Sequence, residues 1–161
     1  MFLPLSSPLH VVLVSPQIPP NTGNVARLCA CTGARLILVE PLGFRITDRE
    51  LRRAGLDYWD KVFVALYPDY DAYVAAWPDA RRFLFEVGTG RSSYDVRYAQ
   101  GDHLVFGPEP TGLSESLLAG GSGVPVTLPM QEGRRSLNLS TSVGIATYEA
   151  LRQLHFGLES P

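Results

Sequence analysis

Residues able to do chemistry are concentrated in three short stretches of the chain. They are Asn21-Thr22-Gly23-Asn24-Val25-Ala26-Arg27, Gly107-Pro108-Glu109-Pro110-Thr111-Gly112-Leu113 and Arg135-Ser136-Leu137-Asn138-Leu139-Ser140. Each mixes residues that bend backbone with side chains that bind ligands. Glycines let backbone N–H groups come close to a ligand, and helix N-termini favour anions. Arg27 lies about one helical turn into its segment, where a guanidinium reaches back over the loop. Glu109 is an acceptor for ligand amines or a counter-charge for a cation. Arg134, Arg135, Ser136, Asn138 and Ser140 crowd one short segment, more polar groups than a helix cap requires. The plainer readings stay open: a capped helix with a surface arginine, a Pro/Gly turn with a solvated acid, and a Ser136 or Asn138 cap.

The surrounding pattern places these stretches in loops. Leu9 to Val14, Leu36 to Glu40, Val62 to Leu66, Arg82 to Val87, Leu104 to Phe106 and Val124 to Met130 read as buried strands. Helical patterns alternate with them. Asn21 or Thr22 is positioned to cap the first helix, and Gly33 to stop it. Thr47-Asp48-Arg49-Glu50 fits a capping box. Asp69 precedes an aromatic helix, Ser114 a short one, and Asn138 to Leu154 is the longest. The apolar positions Leu139, Val143, Ala146, Ala150 and Leu154 fall near helical spacing. Alternating strands and helices predict an α/β fold with a mostly parallel sheet and helices on both faces. Ligands of such sheets bind in loops beyond the carboxyl ends of the strands, so the three stretches are expected to share one pocket.

The 161 residues suffice for one domain, expected over 9–156, with a short extension before it (1–8) and a tail after it (157–161). A net charge of −2 gives no general signal for nucleic acid. Thirteen of the fourteen basic residues are arginine and only Lys61 is lysine. Arginine forks suit bidentate phosphate contacts, although base composition explains the same bias. Cys29 and Cys31 sit two apart on a predicted helix and do not face each other, which implies a reducing, cytoplasmic compartment. No metal spacing joins His10, His103 and His155, and no apolar run reaches membrane-spanning length. A Walker A loop and a G-x-S-x-G elbow are absent, and Gly88-Thr89-Gly90 lacks the third glycine of a dinucleotide fingerprint.

Taken in order, the three stretches resemble those of the SPOUT-class RNA ribose methyltransferases. The closer resemblance is to the small branch that modifies the wobble nucleotide of tRNA. It rests on Ile18-Pro19-Pro20-Asn21-Thr22-Gly23-Asn24, Arg27-Leu28-Cys29-Ala30, Glu40-Pro41-Leu42-Gly43-Phe44, Leu51-Arg52-Arg53-Ala54-Gly55-Leu56-Asp57-Tyr58, Phe106-Gly107-Pro108-Glu109 and Ser136-Leu137-Asn138-Leu139-Ser140, and it covers about residues 9 to 156. The resemblance implies a C-terminal trefoil knot, S-adenosylmethionine as cofactor, a homodimer, and the anticodon stem-loop of tRNA as substrate, with no metal and no membrane. It assigns catalysis to Arg27, Ser136, Asn138 and Glu109. It assigns the cofactor pocket to Glu86, Gly107, Glu109, Gly112, Leu128, Met130, Ser136 and Leu137. Asn21, Arg27, Arg52, Arg53, Arg134 and Arg135 are the expected RNA contacts. Another RNA position, a non-catalytic RNA-binding module and a flavodoxin-like nucleotide-binding domain are the competing readings.

Overall fold

A computed structural model describes residues 4–46 and 59–156. The predicted capping box and both Arg52 and Arg53 lie outside the described residues. Six strands form the sheet: β1 (His10–Val14), β2 (Arg35–Val39), β3 (Phe63–Tyr67), β4 (Arg82–Phe85), β5 (His103–Phe106) and β6 (Val124–Val126). The helices are α1 (Pro19–Thr32), α2 (Trp59–Val62), α3 (Tyr70–Ala76), α4 (Glu115–Ala119) and α5 (Leu139–Phe156). The strand order is β3-β2-β1-β5-β4-β6, and every pairing is parallel.

Strand periodicity divides the core into two layers. Val11 and Leu13 of β1, Leu36 and Leu38 of β2, Phe83 and Phe85 of β4, and Leu104 and Phe106 of β5 face one side. There they meet Val25, Ala26 and Cys29 of α1 and Val143, Ala146 and Ala150 of α5. The alternate residues Val12, Ile37, Leu84 and Val105 pack with Tyr73 of α3 and with Leu113 on the other side. Both faces are covered, which is why the strands read as near-continuous apolar runs.

The first helix begins earlier than its polar residues suggest. Its N-cap is Ile18, in extended conformation and without a side-chain cap, and prolines occupy the first two helical positions. Proline suits that place because its fixed φ is already helical and no orphan N–H is left. Asn21 and Thr22 therefore sit inside the helix and are buried, which corrects the expectation that one of them caps it. Gly33 ends the helix at φ 77°, its N–H donating to the Cys29 carbonyl at 2.9 Å. Asp69 and Ser114 cap the helices that they precede, accepting from the Ala72 and Leu117 amides. Strands β4 and β6 stop short of Val87 and Met130, because the chain there leaves the sheet to line a cleft.

A second polar cluster lies at the opposite, amino ends of the strands. His10 opens β1 and His103 opens β5, in register, with rings stacked at 4.4 Å between centroids. His103 Nδ1 and the Tyr73 hydroxyl are 2.6 Å apart. Beside them Arg82 is 4% exposed, its cation held by the carbonyls of Val74, Trp77, Ala80 and Ser122 and by the Tyr73 ring face. Burial, reinforced by His10 and Arg82, lowers the His103 pKa to about 3. Burial and Arg35 lower that of His10.

Both imidazoles are thus kept neutral in the native state, and the unfolded chain takes up protons first as pH falls. Their contribution to stability is complete above the ordinary histidine pKa of 6.5 and is lost as pH drops below it toward the native value. Denaturant titrations at about pH 7.5 and about pH 5.5 should show a loss of roughly 1 kcal/mol from His103, with His10 adding in the same direction. His103→Gln should flatten that dependence; an unchanged slope would remove His103 from the account.

Candidate active site

A cleft of about 390 Å³ opens at the carboxyl ends of β4 and β5. All three polar stretches reach it: Asn21, the loop from Gly107 to Gly112, and the segment from Arg135 to Leu139. Its apolar walls include Leu128, Met130 and Leu137. The stacked rings of Phe85 and Phe106, 4.6 Å apart, lie at the strand ends.

Two glycines set the shape of the second loop. A Cβ on Gly107 would overlap the backbone of Gly112 and Leu113, 2.7 Å from the Gly112 carbonyl oxygen, so only glycine lets the loop close on itself. Gly112 has φ +69°, and a Cβ there would collide with the Glu86 carboxylate. That carboxylate accepts from the Val87 amide at 2.9 Å and from the Leu113 amide, joining the end of β4 to the loop after β5. Glu86 is thereby a builder of the cleft as well as part of its lining. The Gly112 amide donates to the Pro108 carbonyl at 2.9 Å, which completes the turn.

Glu109 occupies the centre of a polar connection between all three stretches. Its carboxylate accepts from the Gln17 amide at 2.7 Å, the Ile18 amide at 3.2 Å and Asn21 Nδ2 at 3.0 Å. It thus serves as a long-range cap for α1, which has no acidic residue of its own in the first turn. The favourable field of the helix N-terminus adds to these bonds. Asn21, 6% exposed, then accepts from Asn138 Nδ2 at 3.0 Å through its own carbonyl oxygen. Asn138 Oδ1 accepts from the Ser140 amide at 2.9 Å, the Thr141 amide at 3.3 Å and the Ser140 hydroxyl at 2.8 Å. Asn138 is therefore both the cap of α5 and a partner of α1. The capping reading and the site reading hold together.

The predicted site residues divide by position. Glu86, Gly107, Glu109, Gly112, Leu128, Met130, Ser136, Leu137, Asn21, Asn138 and Arg135 all line the cleft. Arg27 does not; it is exposed on α1. Arg134 is exposed next to Arg135 and also lies off the lining. Ile18, Phe85, Phe106, Thr127 and Ser142 line the cleft without having been picked out for a role there. Ile18 and Phe106 belong to the motifs themselves, while Phe85, Thr127 and Ser142 lie within a few residues of one.

Residues 8–148 match the SpoU rRNA Methylase family. The chain is 52% identical over 151 residues to the tRNA (cytidine(34)-2'-O)-methyltransferase of Burkholderia pseudomallei, covering 91% of this chain and 96% of that one. It is 45% identical over 149 residues to the protein of the same name from Escherichia coli K12, covering 92% and 95%. A solved structure described as giving insights into the 2-OH methylation of C/U34 on tRNA superposes with a TM-score of 0.86 at 46% identity, covering 92% of this chain and 97% of that chain. The SpoU methyltransferase AviRb from Streptomyces viridochromogenes, solved with AdoMet, shares the fold at a TM-score of 0.79 and 22% identity, with 94% of this chain and 60% of that chain covered.

The glycine geometry makes a direct prediction. Gly107→Ala forces backbone rather than a flexible side chain to move, and should cost about 1–3 kcal/mol by overpacking. Gly133→Ala, where φ is +75° but nothing lies within 4 Å of the added carbon, should cost less. Equal denaturation midpoints for the two variants would contradict the close approach at Gly107.

Proposed function

The chain belongs to the SpoU methylase family, and on that premise we propose that it transfers a methyl group from S-adenosylmethionine to the ribose 2′-hydroxyl of the wobble nucleotide of tRNA, a cytidine or uridine at position 34. The observation that carries this reading is the convergence of three distant polar stretches on one cleft at the strand carboxyl ends.

The cleft fits the cofactor on its own geometry. Its volume lies within the range of small-molecule sites, and its second loop is cradled by two positions that exclude a side chain. Leu128, Met130 and Leu137 give apolar wall, while Glu86, Gly107, Glu109, Gly112 and Ser136 supply carboxylate, backbone and hydroxyl groups around it. When bound, S-adenosylmethionine supplies a methyl group on a positively charged sulfur.

The chain's own residues then have to deal with a weak nucleophile. A ribose hydroxyl attacks only when its proton is removed or its developing negative charge is stabilised. A guanidinium keeps its proton in proteins, so Arg27 acts as an electrostatic clamp on the incipient alkoxide and the adjoining phosphate. Its exposed place on α1 leaves it open to RNA laid across the cleft mouth. Ser136 and Asn138, which line the cleft, hydrogen-bond the ribose. Arg134 and Arg135, both exposed, take neighbouring phosphates, as do Arg52 and Arg53. Two subunits joined through the neighbouring helices α1 and α5 double these arginine pairs, which offsets an acidic net charge. The C-terminal segment passes through the preceding loops as a trefoil knot, and the enzyme works in the cytoplasm.

Radiolabelled methyl transfer to total tRNA, followed by nucleoside mapping, should place the label on the 2′-oxygen of position 34. Label at another tRNA position, or in ribosomal RNA, would move the enzyme to a different branch, and no transfer at all would refute the reading. Arg27→Ala should keep S-adenosylhomocysteine affinity while lowering transfer by about 100-fold or more, the scale of losing one charge-stabilising donor. Raising the salt concentration should weaken tRNA binding steeply, and Arg135→Ala should reduce that slope by about one.

A further inference from the structure

The hydrogen bonds from Glu109 to Asn138 have a direction, set by Glu109 at one end and by the Ser140 and Thr141 amides at the other. An ionised carboxylate is acceptor-only, so Glu109 obliges Asn21 to present its NH₂ group. The Asn21 carbonyl oxygen is then left facing position 138, which must donate. Asn138 accordingly presents NH₂ to Asn21 and its own oxygen to the Ser140 and Thr141 amides at the start of α5. Each amide is fixed by the groups on both of its sides, and turning either one over would place like atoms in contact.

We propose that Glu109 is a positioning residue that acts on Asn138 across the site, through an Asn21 amide whose orientation it locks. This deepens the methyl-transfer reading and rests on it for the activity measurement alone. The consequence is an unusual constraint at position 138. Asparagine and aspartate are about equally good helix caps, and an acid at a helix N-terminus is favourable. If capping were the whole role, Asn138→Asp would be harmless. In this relay it is not, because an aspartate at that position has no proton to give the Asn21 oxygen, and Asn21 cannot turn while Glu109 is ionised.

The same logic specifies a rescue. With Glu109→Gln, the new amide can donate to the Asn21 oxygen, which lets Asn21 turn over. Its NH₂ group then faces position 138, where an aspartate accepts it with one oxygen and caps α5 with the other. The substituted glutamine retains an oxygen for the Gln17 amide. The Asn21–138 part of the relay is restored with its polarity reversed and its single negative charge moved from position 109 to position 138, at the cost of the Ile18 amide, which donates to the same Glu109 oxygen as Asn21 and loses that acceptor.

The test is a double-mutant cycle of E109Q and N138D, read in three ways: kcat and KM for tRNA methylation, S-adenosylhomocysteine affinity by calorimetry, and denaturation midpoint. Each single variant should lower kcat at least tenfold with a smaller change in KM, and should lower the midpoint. The double variant should recover at least part of the kcat and midpoint that N138D loses, although no hydrogen bond among the described residues joins the two substituted positions directly. Asn21→Ala in the double background should abolish the recovery. Losses that simply accumulate in the double variant, or an N138D variant with parent activity and midpoint, would overturn the proposal. Should the parent protein transfer no methyl group, the methyl-transfer reading fails, while the midpoint cycle still decides whether the relay is directional.

Discussion

The acceptor-only carboxylate of Glu109 is the constraint on which the site is organised. It satisfies backbone donors at the start of α1, and through Asn21 it ties that helix to the start of α5. Three segments far apart in sequence thereby become one structure. Water could serve any one of these groups separately, but the direct Asn138–Asn21 bond ties the two helix ends together. Asn21 and Asn138 both line the cleft, and Glu86, also in its lining, links β4 to the second loop.

The sheet supplies the rigidity that such a network needs. Both faces of the parallel strands are covered, with α1 and α5 on one side and Tyr73 with Leu113 on the other. Side chains at strand ends are therefore held by a packed core, while the loops beyond remain polar. The two ends of the sheet do different work. At the carboxyl ends, carboxylates and amides surround a cleft. At the amino ends, Arg82, His10, His103 and Tyr73 form a buried polar cluster whose neutral imidazoles favour folding above mildly acidic pH.

In the proposed reaction the site extends beyond its cleft to Arg27. The residue is exposed, away from the lining, and so is Arg134. An RNA substrate is far larger than a cofactor, and groups that meet it belong on the outer surface around the opening. In the proposed reaction the cleft takes a small donor, while the exposed Arg27 and Arg134 outside its lining meet a large polyanion. This arrangement also reconciles an overall negative charge with an RNA partner, since phosphate contacts depend on local clusters of guanidinium groups.

The alternation of apolar runs and helical patterns was enough to read the α/β class, most strand positions and the loops that carry chemistry, because those depend on local periodicity and turn residues. Ser114 was legible as a cap, and Asp69 as the residue before its helix, for the same reason: a cap acts within its own turn. The start of α1 was not, since Pro19 and Pro20 begin the helix while its acidic cap arrives from Glu109, about ninety positions away in the chain. The strand order β3-β2-β1-β5-β4-β6 was likewise invisible, because pairing between distant strands leaves no local pattern. Sequence named the groups that could meet; only the packed sheet decided that Glu109, Asn21 and Asn138 do meet, and with which atoms, because hydrogen-bond direction is a property of neighbours in space.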